Sequence, residues 1–407
     1  MQAELISIGD ELLIGQTINS NAAFIGQCLT EIGIPVHWTT VVGDNRDAIR
    51  DVLDIAVSRA DVLIVTGGLG PTHDDVTRSV FVDYFNTSLV LDEAVLRNIE
   101  LLFEKRNRKM PPSNRDQAMI PKSAVKIDNE FGTAPGFRFE RDNKHFIVLP
   151  GVPLEMRTMM EKTVVPFLKG KANHFIKYKM FKTTGISESA LFELMGDIDE
   201  LERDVKIAFL PKPTGVEIRV TAEDETEKEC LKRLKKAEKI IVSRIQEHIW
   251  GFDDDKLEEV VTRLLAQQQK TVGLVEGSTG GLISHRLTNS PQMTQFLKAT
   301  LVLNHADAMI DHLHLNAELI AEHGLQSSEV AIAMAESVRN ITNTDIGIAT
   351  TPFKFSHASS TEEQVVVAVA ASKGVMHETV FVNRDMHFNK ERPAQLALDI
   401  LRRLLMH

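Results

Sequence analysis

Residues 65–78 read VTGGLGPTHDDVTR and follow the apolar, β-branched run ADVLI at 60–64. Such a run, closed by glycines, reads as a buried strand of a parallel sheet. Gly67, Gly68 and Gly70 let main-chain N–H groups approach an anion with no Cβ in the way, and Pro71 stiffens the exit. Thr72 and Thr77 add hydroxyls, while Asp74 and Asp75 set two carboxylates beside the cradle. Paired acids would repel a phosphate there unless a divalent cation bridged them. The stretch therefore predicts an α/β fold with a phosphate-type ligand at a strand's carboxyl end and a metal held by Asp74 and Asp75.

The flanking sequence has the matching rhythm. AELISIG, PVHWTTVV, ADVLIVTGG and HFIVLPG read as strands, and NAAFIGQCLTEIG, RDAIRDVLDIAVSR and DEAVLRNIELLFEKR as amphipathic helices. Strand–helix alternation over residues 1–170 predicts a parallel sheet with helices on both faces. Ligands of such sheets bind beyond the carboxyl ends of the strands.

Four more clusters are candidates to join the glycine turn. Gly9-Asp10-Glu11 comes with Asn19 and Asn21, although the two acids could simply cap the following helix. Val42-Gly43-Asp44-Asn45 is the second, with the same ordinary alternative for Asp44. PPSNRDQA supplies Ser113, Asn114, Arg115 and Gln117, with Arg115 the candidate to neutralise a phosphate and Asn114 and Gln117 to bond a base or ribose. GTAPGF and LPGVPLE supply Gly132, Thr133, Pro135, Gly151, Pro153 and Glu155, where tight turns alone would also explain the glycines and prolines.

Composition narrows the function classes. The chain has 407 residues, 43% of them hydrophobic and 25% charged, which describes a globular protein of two or three domains. A formal charge of −11 argues against a nucleic-acid partner, whose backbone needs a basic footprint. The only two cysteines, Cys28 and Cys230, are expected to be reduced thiols. The opening MQAELISIGDE carries acids where a signal peptide needs bases, and no apolar run is long enough to span a bilayer. The expectation is a cytoplasmic protein with no membrane partner.

Residues 173–251 change character: strands KYKMFKTTG and GVEIRVTAE, helices ISESALFELMGDI and EKECLKRLKKAEKIIVSRI, then HIWG, predict a small α+β domain. Lys206, Lys212 and Arg219 could hint at RNA, but the segment has no GXXG loop, only GISE at 185–188. GFDDDKLEE reads as a linker opening a helix, and residues 253–407 then read as another α/β unit.

TGGLGPTHDDVT and the opening ISIGDELLIGQTINSNAAFI resemble the N-terminal domain of the CinA family (competence/damage-inducible protein A). That domain is related to the molybdopterin-binding domain of molybdenum-cofactor biosynthesis, a three-layer α/β/α fold. The resemblance extends over the whole chain, with a KH-like α+β module in the middle and a CinA C-terminal α/β domain. It implies metal-dependent hydrolysis of a nucleotide pyrophosphate of the ADP-ribose type. It also implies a divalent metal of the magnesium, manganese, cobalt or nickel class, with or without a monovalent cation, and a homodimer. Asp74 and Asp75, with Asp10 and Glu155, are the expected metal ligands. Glu11, Asp44 or Glu155 would add a ligand or the general base, and the residues do not choose among them. The remaining positions (Gly67, Gly68, Gly70, Pro71, Thr72, Thr77, Asn19, Asn21, Asn114, Arg115, Gln117, Gly132, Thr133, Gly151, Pro153) would bind substrate. A non-catalytic nucleotide or pterin sensor is the rival of a different class.

VEGSTGGLISHRL at 275–287 resembles the nicotinamide mononucleotide deamidase signature ESCTGG. Glu276, Thr279, Gly280 and Gly281 match; the family's nucleophilic serine falls at Gly277, and Ser278 sits one place along. Counting back from His323-Gly324 puts Asn304 and Met309 where a tyrosine and a lysine belong, and IATTPFKFS lacks the glycines of a later turn. VAIAMAESVR and FVNRDM keep framework-like matches. A serine nucleophile needs a base within hydrogen-bond reach. The expectation is a degenerate, inactive deamidase-like domain, with rescue by Ser278 and His305, and hence an active nicotinamide-nucleotide amidase, as the alternative.

Overall fold

The computed structural model describes residues 1–171, 175–353, 363–382 and 386–406. Its contacts divide the chain into two compact units, Met1–Lys177 with Thr221–Leu234, and Tyr178–Val220 with Lys235–His407.

In the first unit, β1 (Ala3–Ile8), β2 (Val36–Val42), β3 (Val62–Thr66) and a later strand, β8 (Lys144–Leu149), form the parallel centre of a six-stranded sheet. These are the four strands expected from the sequence. Its full order is β2-β1-β3-β8-β7-β6, where β6 (Val125–Ile127) and β7 (Gly136–Arg141) run antiparallel to their neighbours. The all-parallel expectation is corrected here: Asp142 and Asn143, both at positive φ (53° and 60°), make the tight turn of a β7–β8 hairpin. A short two-stranded sheet pairs β4 (Leu89–Leu91) with β5 (Met119–Pro121).

Helices cover both faces of the six-stranded sheet. Ile49, Leu53 and Ala56 of α3 (Arg46–Arg59) and Phe81 of α4 (Thr77–Tyr84) pack with Val65, Phe137 and Phe146. Ile25 and Leu29 of α2 (Ser20–Glu31) and Met156 and Met159 of α6 (Pro153–Met159) pack with Leu5, Ile64 and Ile147 on the other. α1 (Asp10–Leu13) is one short turn, and α5 (Glu93–Lys105) has its own small cluster around Ile99. A π-helical turn, Met160–Val164, joins α6 to α7 (Val165–Lys169). This is a three-layer α/β/α arrangement.

Residues 175–252 contribute a four-stranded sheet of order β10-β11-β9-β12, from β9 (Phe175–Thr183), β10 (Lys206–Lys212), β11 (Gly215–Asp224) and β12 (Ile249–Phe252). It carries α8 (Glu188–Met195), α9 (Ile198–Glu202) and α10 (Glu227–Ile245). Ser187 of the GISE run caps α8 by accepting the Ala190 N–H, an ordinary helix start.

The last segment begins with α11 (Leu257–Gln268) and forms a five-stranded sheet of order β14-β13-β15-β16-β17. β13 (Val272–Glu276), β14 (Leu297–Val302) and β15 (Ile346–Thr350) are parallel. β16 (Glu363–Ala371) and β17 (Gly374–Val382) form an antiparallel hairpin at the edge. α11, α12 (Leu282–Thr288) and α16 (Met386–Met406) cover one face; α13 (Ala306–Leu313), α14 (Ala317–His323) and α15 (Ser328–Ile341) cover the other. No helix among the described residues is long and apolar enough to cross a membrane.

Candidate functional site

Strand register builds the N-terminal site. Ile8 of β1 pairs with Val42 of β2, Ser7 with Thr66 of β3, and Thr66 with Leu149 of β8. The four strands thus end level, and Gly9-Asp10, Gly43-Asp44, Gly67-Gly68 and Pro150-Gly151 emerge side by side. The segments that the sequence marked separately form one rim.

The glycines answer to packing before any ligand. Gly67 (φ 104°) lies against the Ile8 carbonyl and Gly68 (φ 65°) against the Thr77 hydroxyl, so a Cβ at either would collide. Thr77 is itself fully buried and its hydroxyl has no hydrogen-bond partner. α4 is anchored behind the loop by Phe81, whose ring lies 6.0 Å from Phe137 and 6.1 Å from Phe139.

The two loop aspartates part company. Asp75 turns back into the loop: Oδ1 accepts the Gly70 N–H at 2.7 Å, and Oδ2 accepts the Thr72 N–H at 2.8 Å and the Thr72 hydroxyl at 2.6 Å. Asp74 faces outward, 2.7 Å from the exposed imidazole of His73. Pro71 and Thr72 are exposed on the same turn. The two carboxylates that the sequence paired as metal ligands thus point different ways, Asp75 onto the Gly70–Thr72 turn and Asp74 towards His73.

A different pair meets instead. Asp10 and Asp44 each accept the other's backbone N–H, Asp10 N to Asp44 Oδ2 at 3.1 Å and Asp44 N to Asp10 Oδ1 at 3.3 Å. Neither acid is an N-cap: Asn45 caps α3 by accepting the Asp47 and Ala48 N–H groups, and Gly9 occupies the cap of α1. Burial, followed by the like charges of Asp10, Glu11 and Asp75, pushes the Asp44 carboxyl above its usual range, against a lowering hydrogen bond from the Asp10 N–H. Glu11 folds back over Gly9, where a Cβ would lie 2.6 Å from its carboxylate.

The other candidates mostly organise this rim. Asn19 caps α2 through Ala22 N–H and donates to the Ser7 hydroxyl at 2.9 Å. Asn21 donates to the Gly151 carbonyl at 2.7 Å and keeps a buried amide oxygen without a partner. Buried Asn114 donates to Gln117 at 2.7 Å, and Gln117 faces the Leu69 carbonyl at 3.5 Å, so they tie the turn Pro112–Ala118 to the loop. Arg115 is exposed on that turn. Pro153 opens α6.

Glu155 stands apart. Burial raises its carboxyl above the usual range, with the Asn129 hydrogen bond acting the other way. Asn129 donates to Glu155 Oε2 at 2.7 Å and to the Ala134 carbonyl at 2.8 Å, and accepts from Gly132 N–H at 2.8 Å. Gly132 sits directly on the Glu155 carboxylate, with half-buried Thr133 beside it. Glu155 thus serves the 129–134 turn. Sequence reasoning missed Asn129, whose short side chain folding onto the next backbone amides is a recognisable turn signal.

Among the described residues, no group of three His, Cys, Asp or Glu is arranged to hold a metal alone. The donor set still suits a hard divalent cation. Mg²⁺ is commonly held by one or two carboxylates plus substrate phosphates, and the Asp10–Asp44 pair is an oxygen-only site with excess negative charge.

The C-terminal loop is built on the same plan and closed. Glu276, fully buried, accepts the Gly281 and Ile283 N–H groups at 3.0 Å, the Ser284 N–H at 2.9 Å and the Thr279 hydroxyl at 2.7 Å. Gly280 (φ 57°) and Gly281 (φ 96°) make the turn. A Cβ on Gly277 would lie 2.6 Å from Pro352 N and 2.8 Å from Thr350 O. Ser278 is buried with no partner for its hydroxyl, whereas His305 is exposed at the start of α13. Met309 is fully buried in the core and Asn304 is exposed. VAIAMAESVR lies within α15, while FVNRDM and IATTPFKFS run partly outside the described residues.

Comparison with known proteins places the chain. The family model described as "Probable molybdopterin binding domain" matches residues 4–170, "Damage-inducible protein CinA KH domain" residues 178–251 and "CinA C-terminal domain" residues 254–405. A "Putative competence-damage inducible protein" of Caldicellulosiruptor bescii is 37% identical over 409 residues, covering 100% of both chains. The chain belongs to the CinA family. A CinA-like protein of Dictyoglomus thermophilum is 36% identical over 418 residues, again covering 100% of each chain. The solved structure of CinA from Thermoplasma acidophilum, described as of unknown function, is 36% identical, covers 42% of this chain and 97% of its own, and has a TM-score of 0.37. By the three family models, the fold is a CinA-type mixed α/β structure with molybdopterin-binding-like, KH-like and CinA C-terminal domains.

Proposed function

We propose that this CinA-family chain is a divalent-metal-dependent nucleotide pyrophosphatase, acting on an ADP-ribose-type substrate in its N-terminal segment. One observation carries the reading: Asp10 and Asp44 lock onto each other at the level ends of β1 and β2, where burial, and then the neighbouring negative charges, raise Asp44. Like charges clustered at one rim disfavour each other's ionised form, and a cation with its bound phosphates would offset them.

In this reading Asp10 and Asp44 hold the metal. When bound, a divalent cation supplies charge neutralisation on the pyrophosphate and a more acidic water. Asp75 keeps the Gly70–Thr72 turn in shape for the phosphates, and Glu11 accepts the proton of the attacking water. Water adds to one phosphorus, the P–O–P bridge breaks, and two phosphate monoesters leave. The three-segment organisation (1–170, 173–251, 253–407), a homodimeric assembly, a cytoplasmic location and the absence of nucleic-acid and membrane partners belong to the same proposal.

The C-terminal segment is proposed to be inactive as a deamidase, because Gly277 has no nucleophile and no room for one. The test of the main reading is Asp10→Ala with Asp44→Ala. Hydrolysis of ADP-ribose should fall about a thousandfold or more with the fold retained. Unchanged turnover in the double variant removes the proposal, and tight ADP-ribose binding without turnover in the parent favours a sensor.

A further inference from the structure

The sequence offers Arg115 as the cation for a phosphate, but the structure draws a different arginine into the site. Arg78, in the first turn of α4, donates from Nη1 to the Asp116 carbonyl at 2.5 Å. Its side chain lines a small, mostly apolar cleft whose walls include Leu69, Gln117, Ala134 and Pro135. Those four residues come from three of the segments that the sequence marked: the glycine turn, PPSNRDQA and GTAPGF. Burial lowers the guanidinium's pKa, and the Asp116 and Asp75 charges act in the opposite direction. Arginine stays charged regardless. A partly buried cation needs an anion: Asp116 is the stronger of its two charged neighbours, and the Asp75 carboxylate is already tied to Gly70 and Thr72.

We propose that Arg78, and not Arg115, is the substrate-contacting cation of the N-terminal site. The guanidinium nitrogens not engaged by Asp116 pair with a phosphate of a nucleotide pyrophosphate held against the Gly67–Gly70 turn. The fork geometry suits two phosphate oxygens at once. The Asp116 carbonyl fixes the fork's direction before the ligand arrives, which limits the entropy lost on binding. The assignment rests on the preceding reading that a nucleotide pyrophosphate occupies this loop.

The test is calorimetric titration of the full chain with inorganic pyrophosphate and Mg²⁺, with ADP-ribose turnover measured on the same preparations. Arg78→Gln keeps a donor for the Asp116 carbonyl and removes the charge, so it separates ligand pairing from anchoring of the turn. Pyrophosphate binding should weaken roughly 10- to 100-fold in Arg78→Gln, with a shallower salt dependence and an unchanged thermal midpoint. Arg78→Lys should recover part of the loss, and Arg115→Gln should lose less than about threefold. Binding in Arg78→Gln equal to wild type, a larger loss in Arg115→Gln, or a loss that tracks a lowered thermal midpoint would each overturn the assignment. So would failure of the wild type to bind pyrophosphate. Arg78-dependent binding without turnover keeps the assignment and removes the hydrolase. Turnover that is indifferent to Arg78→Gln does the reverse.

Discussion

Two glycine turns follow buried parallel strands in this chain, one after β3 and one after β13, and a carboxylate ties each of them. Asp75 holds Gly70 and Thr72; Glu276 holds Gly281, Ile283, Ser284 and Thr279. They differ in what is left over. Around the first turn the like charges of Asp10, Glu11 and Asp75 press on Asp44. Around the second, Glu276 is satisfied by its own helix start, and the Thr350–Pro352 backbone fills the space beside Gly277. Related local chemistry therefore yields a charged rim in one case and a plug in the other. A glycine motif alone does not say which will form; its surroundings do.

The largest stability effect should come from Glu276→Ala. It removes one buried acceptor from three N–H groups and a hydroxyl, so chemical unfolding should show a loss of about 3 kcal/mol or more. A loss under about 1 kcal/mol would break the comparison, because the turn would not depend on its carboxylate. Next is Gly277→Ser, which restores the residue type that the deamidase signature places there. It should cost about 1–3 kcal/mol by forcing a Cβ into the Pro352 backbone, and release no ammonia from nicotinamide mononucleotide. Ammonia release at an undiminished thermal midpoint would show that the space is open after all.

The smallest effect is the most diagnostic. The Asp44 pKa is raised on folding, so the native state binds that proton more tightly than the unfolded chain. The ionised carboxylate is then a destabilising charge, present above the folded pKa and absent below the unfolded value near 3.9. Asp44→Asn should raise Tm at pH 7 by roughly 1–2 °C, and the gain should vanish as pH falls below about 4. Saturating Mg²⁺ should erase the difference by stabilising the parent alone. A Tm gain independent of pH would show that charge is not its source.

Much of this was legible in the sequence. Each central strand of the first sheet runs into a glycine turn, and level strand ends follow from pairing such strands in parallel. Antiparallel β6 and β7 were not read, though Asp142-Asn143 between GFRFER and KHFIVL is a hairpin signal. The role of Asp75 had a local cue, since threonine three residues before a carboxylate favours a reciprocal turn bond. Asp44 could be released from capping only by seeing Asn45 take that role. Arg78 had no local cue at all: its partner, Asp116, is 38 residues away, and only tertiary packing buries it.

The proposed function requires the charged N-terminal rim to work with a divalent cation and the C-terminal turn to stay sealed. Its most direct test is a single product measurement on wild-type protein. ADP-ribose and nicotinamide mononucleotide are supplied separately, with Mg²⁺ or with excess chelator, and phosphate monoesters and ammonia are quantified. AMP and ribose phosphate should form from ADP-ribose with metal, neither with chelator, and ammonia under neither condition. Ammonia with no AMP, or AMP formation indifferent to chelator, would contradict it.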